Sequence, residues 1–161
     1  DEALFSHLFT WENPVLDTAE GLALPNTGLV PDFLQMGATF EELEASLKAN
    51  SSFTLKEALD GSDPNAQYQI NCFGVNYLGF PRKAEARFGD DKLNVVWILL
   101  GKAEEDRVRQ ALIKQYGPPI FTDDVWEVYN NWQVAQRKDK PEVLLMEQEI
   151  GLGYKKSYFK Q

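Results

Sequence analysis

Carboxylates are the most numerous side chains in this sequence that could do acid–base or metal chemistry. Aspartate and glutamate together number 25, and two adjacent pairs stand out, Asp90-Asp91 and Asp123-Asp124. A calcium loop needs oxygen ligands at alternating positions and a closing glutamate, and neither pair belongs to such a pattern. Both pairs lie in segments with the composition of turns, where aspartate bonds its own local backbone. We therefore interpret them as solvated turn residues.

A second arrangement of carboxylates could support glycan hydrolysis. Glu147 and Glu149 share one face of a predicted strand. A glycosidase would need two such carboxylates across a cleft, one of them with a raised pKa. Neither condition can be read from the sequence, so a carboxylate-dependent glycan hydrolase stays open as an alternative.

The sequence contains few residues that could act as nucleophiles or as metal ligands of the cysteine and histidine type. Cys72 is the only cysteine and His7 the only histidine. We expect Cys72 to be a small buried side chain and His7 a half-buried helix residue. A zinc site would need more such ligands, and a hydrolytic triad would need a histidine beside a nucleophile motif that is absent. Gly151-Leu152-Gly153 lacks the rest of a dinucleotide motif. We expect no metal and no cofactor.

The charge of the chain narrows the classes of partner. Its 161 residues carry a formal net charge of −9. Nucleic acid and anionic membrane surfaces require clustered lysine and arginine, so both are poor partners. No apolar run is long enough for a transmembrane helix, and we expect no membrane insertion. Another protein, more specifically a basic one, matches this charge better.

The stretch 82–100 has the pattern of a β-hairpin and is the centre of the predicted fold. In its first arm, apolar residues alternate with charged ones, and Gly89-Asp90-Asp91-Lys92 has the composition of a turn. The second arm is apolar on both faces. One face is predicted to carry Leu93, Val95, Trp97 and Leu99, and the other Val96, Ile98 and Leu100. Such a strand is covered on both sides.

Two helices are predicted around this hairpin. Thr39 and Glu42 form a capping box that begins the first helix, which ends before 50–52. The second spans 103–116 and ends at Gly117. Further strands are predicted within 67–80, 126–136, 142–148 and 150–160, with Asn130-Asn131 as a two-residue turn. The segment 53–59 has both strand and helix spacing.

We therefore predict an α+β fold with a largely antiparallel sheet of about six to eight strands. The two helices should pack on one face of this sheet. Residues 1–36, interrupted by proline and glycine, should form an irregular N-terminal arm with a short helix at 3–10, and should cover part of the other face. One domain, 1–161, is expected. Segments 37–100 and 101–161 share an order of elements, which suggests an internal αβββ duplication.

One stretch has a family likeness. Met36-Gly37-Ala38-Thr39-Phe40-Glu41-Glu42-Leu43, followed by an antiparallel sheet with an aromatic-rich hairpin, resembles the repeat unit of β-lactamase-inhibitor-protein-like domains and of the small outer-membrane assembly lipoproteins. The resemblance implies an exported protein without catalysis that binds other proteins through a sheet face. The lipid-bearing cysteine and the cysteine pair of those proteins are absent here. No functional residue is carried over.

Exposed aromatic side chains are the remaining candidates for a binding surface. Trp97, Trp126 and Trp132 are predicted in the core, because they lie on the apolar faces of their strands. Tyr129 shares a face with Glu127, which we predict to point outward. A mixed aromatic and basic strand is predicted near the end of the chain. The predicted partner-binding residues are Glu127, Tyr129, Tyr154, Tyr158 and Phe159.

The favoured function is a non-catalytic, exported domain that binds another protein. The sequence begins at Asp1 without methionine, which agrees with a removed signal peptide or a trimmed chain. A bacterial periplasmic or secreted location is preferred, with the cytoplasm as the alternative. A second alternative function is an acidic immunity or inhibitor protein that masks a basic toxin or lytic enzyme.

Overall fold

The computed structural model describes residues 28–159, which form an eight-stranded sheet and three α-helices. The predicted helix at 3–10, with His7, and the arm before residue 28 lie outside these residues. The elements in chain order are α1 Phe40–Ala49, β1 Phe53–Ala58, β2 Tyr68–Tyr77, β3 Phe80–Gly89, β4 Lys92–Leu99, α2 Glu105–Tyr116, β5 Phe121–Thr122, β6 Trp126–Tyr129, β7 Val134–Arg137, β8 Glu142–Met146 and α3 Gln148–Ser157.

All neighbouring strands of the sheet are antiparallel, in the order β1-β2-β3-β4-β8-β7-β6-β5. The predicted α+β class and strand number are therefore confirmed. A helix followed by four strands occurs twice along the chain. The internal duplication stays a prediction, because unrelated chains also share such an order. Among residues 28–159, no helix is long and apolar enough to cross a membrane.

The central hairpin is confirmed as β3 and β4, joined by Asp90 and Asp91, which both have positive φ. A bulge changes its second arm. Arg87 pairs with Val95 and Phe88 pairs with Leu93, so Asn94 is the extra residue. The prediction that Leu93 shares a face with Val95 was wrong, because the bulge turns Leu93 to the opposite side of the sheet.

Helices α1 and α2 pack on one face of the sheet, as predicted. The Thr39 hydroxyl accepts a bond of 3.2 Å from the Glu42 amide, and the Glu42 carboxylate accepts one of 3.0 Å from the Thr39 amide. This capping box satisfies two amides that the helix leaves without partners. Leu47 of α1 and Leu112 of α2 then join the same apolar core as Ile98 of β4.

The described part of the N-terminal arm packs on this same face. Leu29 and Leu34 belong to the core formed by α1 and α2, and the Tyr77 hydroxyl donates a bond of 2.9 Å to the Leu29 carbonyl. For residues 28–36, the prediction that the arm covers the opposite face was wrong. The leucines bury apolar surface against the apolar face of β2–β4. The opposite face of these strands carries polar residues such as Gln69 and Glu85.

Helix α3 covers part of the second face, where a strand was predicted over 150–160. It packs on a separate cluster that includes Val95, Trp126 and Phe159. A Cβ atom on Gly151 would lie 1.7 Å from the Trp132 carbonyl oxygen, so the helix backbone rests directly on the β6–β7 turn. The helix forms despite the poor helix propensity of its two glycines, and the prediction of a strand was wrong.

The β6–β7 turn also differs from its prediction. Tyr129 pairs with Val134, so the connection has four residues instead of two. Asn130, Asn131 and Trp132 all have positive φ. This conformation turns Trp132 toward the second face while Val134 stays in the core of the first, whereas alternation after the predicted two-residue turn would put both side chains on one face.

Cys72 is fully buried in β2, as predicted, and this burial should suppress its reactivity. Burial raises the pKa of its thiol to about 11. Because the thiolate is the reactive form, we expect the native protein at pH 8 to react with dithiobis(nitrobenzoic acid) at least about a hundredfold more slowly than the protein unfolded in guanidinium chloride. Equal rates in the two states would contradict the buried position.

A candidate ligand cleft

A cleft of about 1110 Å³ opens between α3 and the second face of the sheet. Its floor is made by β3, β4, β6, β7 and β8, and its rim by the segments 62–65 and 123–125. Pockets that hold small molecules commonly measure about 300–1,000 Å³ and combine apolar walls with a few polar groups. The cleft is therefore large enough for a ligand. The chemistry of its lining residues indicates which class of ligand it could bind.

The apolar part of the floor is aromatic. Trp97 of β4 pairs in register with Leu144 of β8, so both side chains face the cleft from neighbouring strands. The rings of Trp97 and Trp126 lie 6.1 Å apart between centroids, at a tilt of 44°. Trp126 is almost completely buried, whereas Trp97 is only half-buried. Trp97 therefore offers the aromatic surface that a ligand could contact.

Arg137 lies on this floor but is already neutralised. Its guanidinium is 5.4 Å from the centroid of Trp126, its cross-strand neighbour. It donates to both carboxylate oxygens of Asp139 at 2.8 and 2.7 Å, and to Glu142 at 3.3 Å. The bond from Arg137 lowers the pKa of Asp139. This arginine therefore holds the β7–β8 connection instead of offering a free charge.

Arg87 is the second arginine in the cleft, and its environment is different. Its Nε donates a bond of 2.9 Å to the Gln69 side chain. Gln69 donates to Asn71 at 2.7 Å, and Asn71 donates to Glu57 at 3.0 Å. Within residues 28–159, the two terminal nitrogens of Arg87 have neither a hydrogen-bond acceptor nor an ion-pair partner. A row of amides therefore fixes the side chain and leaves its terminal nitrogens for a ligand.

The rim loop is positioned by the bulge and the turn of the central hairpin. The Asn94 side chain donates a bond of 2.7 Å to the Asn65 carbonyl oxygen. A Cβ on Gly89 would lie 1.9 Å from that oxygen, so only glycine permits the approach. The Asp63 carboxylate accepts a bond of 2.8 Å from the Asn65 amide. Asn94, the extra residue of the β-bulge, thus helps to fix the mouth of the cleft.

Two tyrosines of α3 form the opposite wall. Tyr154 and Tyr158 make an edge contact with centroids 4.9 Å apart. The pKa of Tyr154 is raised to about 12, first by burial and then by the charges of Asp63 and Tyr158, whereas Arg87 lowers it. The hydroxyl is therefore protonated at neutral pH and can donate to a ligand. Tyr154, Arg87 and Asp63 all line this cleft.

Four carboxylates line the cleft: Asp63, Asp123, Asp139 and Glu149. The first three have structural partners. One oxygen of Asp123 accepts the amides of Val125 and Trp126 at 2.8 and 2.7 Å, so its predicted place in a turn is confirmed. The prediction that it is solvated was wrong, because its other oxygen is buried and, in the described part of the chain, has no hydrogen-bond partner. Glu149 lies exposed in the first turn of α3, not on a strand beside Glu147.

The five predicted binding residues do not form one surface. Tyr129 is fully buried beneath α2, so its predicted exposure was wrong. It shares a face with Glu127 as predicted, but that face is covered, and Glu127 accepts a bond of 2.6 Å from Arg109 of α2. Phe159 is also buried, in the cluster beneath α3 that includes Val95 and Trp126. Tyr154 and Tyr158 do line the cleft, on a helix instead of a strand.

The central contributors to the cleft were not recognised from the sequence. Arg87 looked like one charge in an alternating strand, and Trp97 like a core residue. The available signal was their combination: β3 carries charges on the face where the neighbouring β4 carries Val95 and Trp97. A polar strand beside an apolar one indicates a boundary within that face of the sheet, and the cleft lies at this boundary.

Among residues 28–159, no group of three or more histidine, cysteine, aspartate or glutamate side chains is arranged to hold a metal ion. Comparisons with protein-family models, with curated proteins and with solved structures find no match to this chain. Its function is therefore inferred from the cleft.

Proposed function

We propose that this protein is a non-catalytic, exported binding domain that holds a segment of a basic partner protein in the cleft beside α3. The observation that carries the proposal is the lining of the cleft. Aromatic surface from Trp97 and Tyr154 lies among four carboxylates and two guanidinium groups, one of which is neutralised. Lysine and arginine side chains are attracted both to carboxylates and to aromatic faces.

The net charge of the chain supports the same partner class. At −9, the protein attracts cationic surfaces over a longer range than the cleft itself. This steering raises the association rate and weakens as salt is added. A partner that is itself a basic toxin or lytic enzyme would make this chain its inhibitor. The proposed periplasmic or extracellular location is supported by the resemblance of the segment 36–43 to exported domains.

A charge reversal inside the cleft tests the proposal. We expect the wild-type protein to capture a defined basic protein from an envelope extract of its native host, and Glu149→Lys to lose at least about tenfold in affinity. Glu149 is exposed in α3, so the substitution should leave the fold intact. Glu41→Lys makes the same charge change in α1, on the opposite face, and should bind like the wild type. Affinities are measured with the purified partner.

Two results would contradict the proposal. One is a repeatable absence of any captured basic protein. The other is equal loss of affinity in Glu149→Lys and Glu41→Lys, because that result would assign binding to net charge alone. Circular dichroism of both variants controls for misfolding.

Glycan hydrolysis is the second candidate, because the cleft does contain several carboxylates. Binding is better supported, since Asp63 and Asp123 accept backbone amides within turns and Asp139 is tied to Arg137. We expect the purified protein to leave oligosaccharides derived from chitin and peptidoglycan uncleaved. Release of reducing ends that disappears in Asp123→Asn would instead establish the hydrolase.

A further inference from the structure

Arg87 lies where two cavities meet. Besides the main cleft, it lines a neighbouring pocket of about 280 Å³, together with Glu57 and the loop that begins at Leu59. Ser62 and Asp63 line both cavities as well. A ligand that follows the cleft toward β1 must therefore pass Arg87 or end at it.

The guanidinium at this junction is held in place before any ligand arrives. Its Nε is used by Gln69, and the row of amides behind it ends on the Glu57 carboxylate. Gln69 and Asn71 are buried, at 4% and 0% exposure, so this row is shielded from water. Fixing the side chain in advance reduces the entropy lost on binding. A planar guanidinium whose two terminal nitrogens have no partner among the described residues 28–159 matches the two oxygens of a carboxylate.

Its neighbours restrict the ligand further. Tyr154 lines the same cleft as Arg87 and Asp63, and its hydroxyl, whose pKa burial raises to about 12, is a donor. Trp97 faces the same cleft from the next strand. An anion at Arg87 would therefore have an aromatic wall beside it, Asp63 at the same junction, and the other carboxylates further along the cleft. A bound molecule that satisfies this lining carries an anion, an apolar group and a cation.

We infer that Arg87 binds a carboxylate of the partner segment, next to an apolar or aromatic side chain of that segment. This inference rests on the proposed function and adds a requirement to it: the basic partner must present a carboxylate. The carboxylate could be the C-terminus of the partner or an acidic side chain within it. Both sources would make the same paired contact with the guanidinium.

Three acetylated tetrapeptides test the inference by titration with detection by nuclear magnetic resonance. Each contains one lysine and one tryptophan. The first ends in alanine with a free carboxylate, the second is the same peptide with a C-terminal amide, and the third is an amide in which glutamate replaces the last alanine. We expect the second peptide to bind at least about tenfold more weakly than the better of the other two, because it lacks the charged acceptor.

Variants assign the contact to Arg87. Arg87→Gln should bind the carboxylate peptides at least about tenfold more weakly and should no longer distinguish them from the amide. Arg87→Lys should recover only part of the difference, because lysine offers a point charge without the fork. Lys114→Gln removes one positive charge from the exposed end of α2, outside the cleft, and should bind like the wild type.

The outcomes separate this inference from the proposed function. Stronger binding of the first peptide than of the third assigns a free C-terminus, and the reverse order assigns an acidic side chain. Equal binding of all three peptides, unchanged in Arg87→Gln but lost in Trp97→Leu, would overturn the role of Arg87 and leave the cleft as a binding site. Failure of all three peptides to bind at millimolar concentration would also overturn the inference. The proposed function would then still be tested by the capture of a basic protein from the envelope extract.

Discussion

Replacing Arg82 with alanine should lower the free energy of unfolding by about 3–5 kcal/mol, because it removes the buried counter-charge of the Glu104 carboxylate and leaves only the exposed Arg107, 3.6 Å away. Arg82 of β3 and Glu104, which precedes α2, are 0% and 2% exposed and form an ion pair. Glu104 also accepts a bond of 3.0 Å from the Gly101 amide. The pair therefore holds the start of α2 against the first face of the sheet.

The pH dependence of this variant identifies the cause. Burial raises the pKa of Glu104, and Arg82 opposes that effect, so removing Arg82 should raise the pKa further. A carboxyl group with a higher pKa in the folded state than in the unfolded state binds its proton more tightly when folded. The stability of Arg82→Ala should therefore rise, relative to the wild type, as the pH falls through the folded pKa of Glu104. We expect the difference in free energy of unfolding between the wild type and Arg82→Ala to be smaller at pH 4 than at pH 8, as measured by urea unfolding.

A double variant supplies the control. Arg82→Met with Glu104→Gln removes both charges while keeping most of the buried volume. Its stability should lie within about 2 kcal/mol of the wild type, because uncharged replacements avoid the unpaired charge. If the double variant and Arg82→Ala are destabilised equally at every pH, lost packing would be the cause and the electrostatic explanation would fail.

Gly151→Ala should be the second strongly damaging substitution, with a loss of about 1–3 kcal/mol and a displaced α3. The added methyl group would lie 1.7 Å from the carbonyl oxygen and 2.8 Å from the carbonyl carbon of Trp132. These are backbone atoms of the β6–β7 turn and cannot rotate away. Either the helix or the turn must move, and the helix is one wall of the cleft.

Gly153→Ala is the matched control two residues further along the same helix. Apart from the adjacent backbone of α3 itself, no heavy atom lies within 4 Å of its added methyl group, so the substitution should stabilise the protein by about 0.8–1.0 kcal/mol through helix propensity alone. Thermal unfolding measures both variants, and tryptophan fluorescence reports the surroundings of Trp132. Equal stability of the two variants would contradict the close contact between α3 and the turn.

Local patterns were sufficient to predict several elements of the fold. The capping box of Thr39 and Glu42 uses residues within one helical turn, and the β3–β4 hairpin depends on alternation around a short turn. Both could be predicted because the interactions that form them are close in sequence. The same holds for the end of α2 at Gly117, whose φ is +84°.

The features that form the cleft depend on distant residues instead. The bulge at Asn94 is stabilised by the carbonyl of Asn65, and α3 depends on Gly151 meeting the Trp132 carbonyl. Alternation alone predicts neither contact. Tyr129 shows the same limit, because its alternation was correct while the presence of α2 above that face decided its burial. Arg87 could be recognised as a candidate only when Gln69 and the cleft were known.

The order of strands also has a consequence for how the chain is made. Strand β8 follows the other seven strands of this sheet along the chain, yet it lies between β4 and β7 and pairs with both. Until the ribosome has added Glu142–Met146, β4 and β7 each lack a neighbour on one edge. Unpaired edges of apolar strands are sites of intermolecular association, and pairing over such a long separation is slow. The nascent protein is therefore most dependent on chaperones just before this five-residue strand emerges.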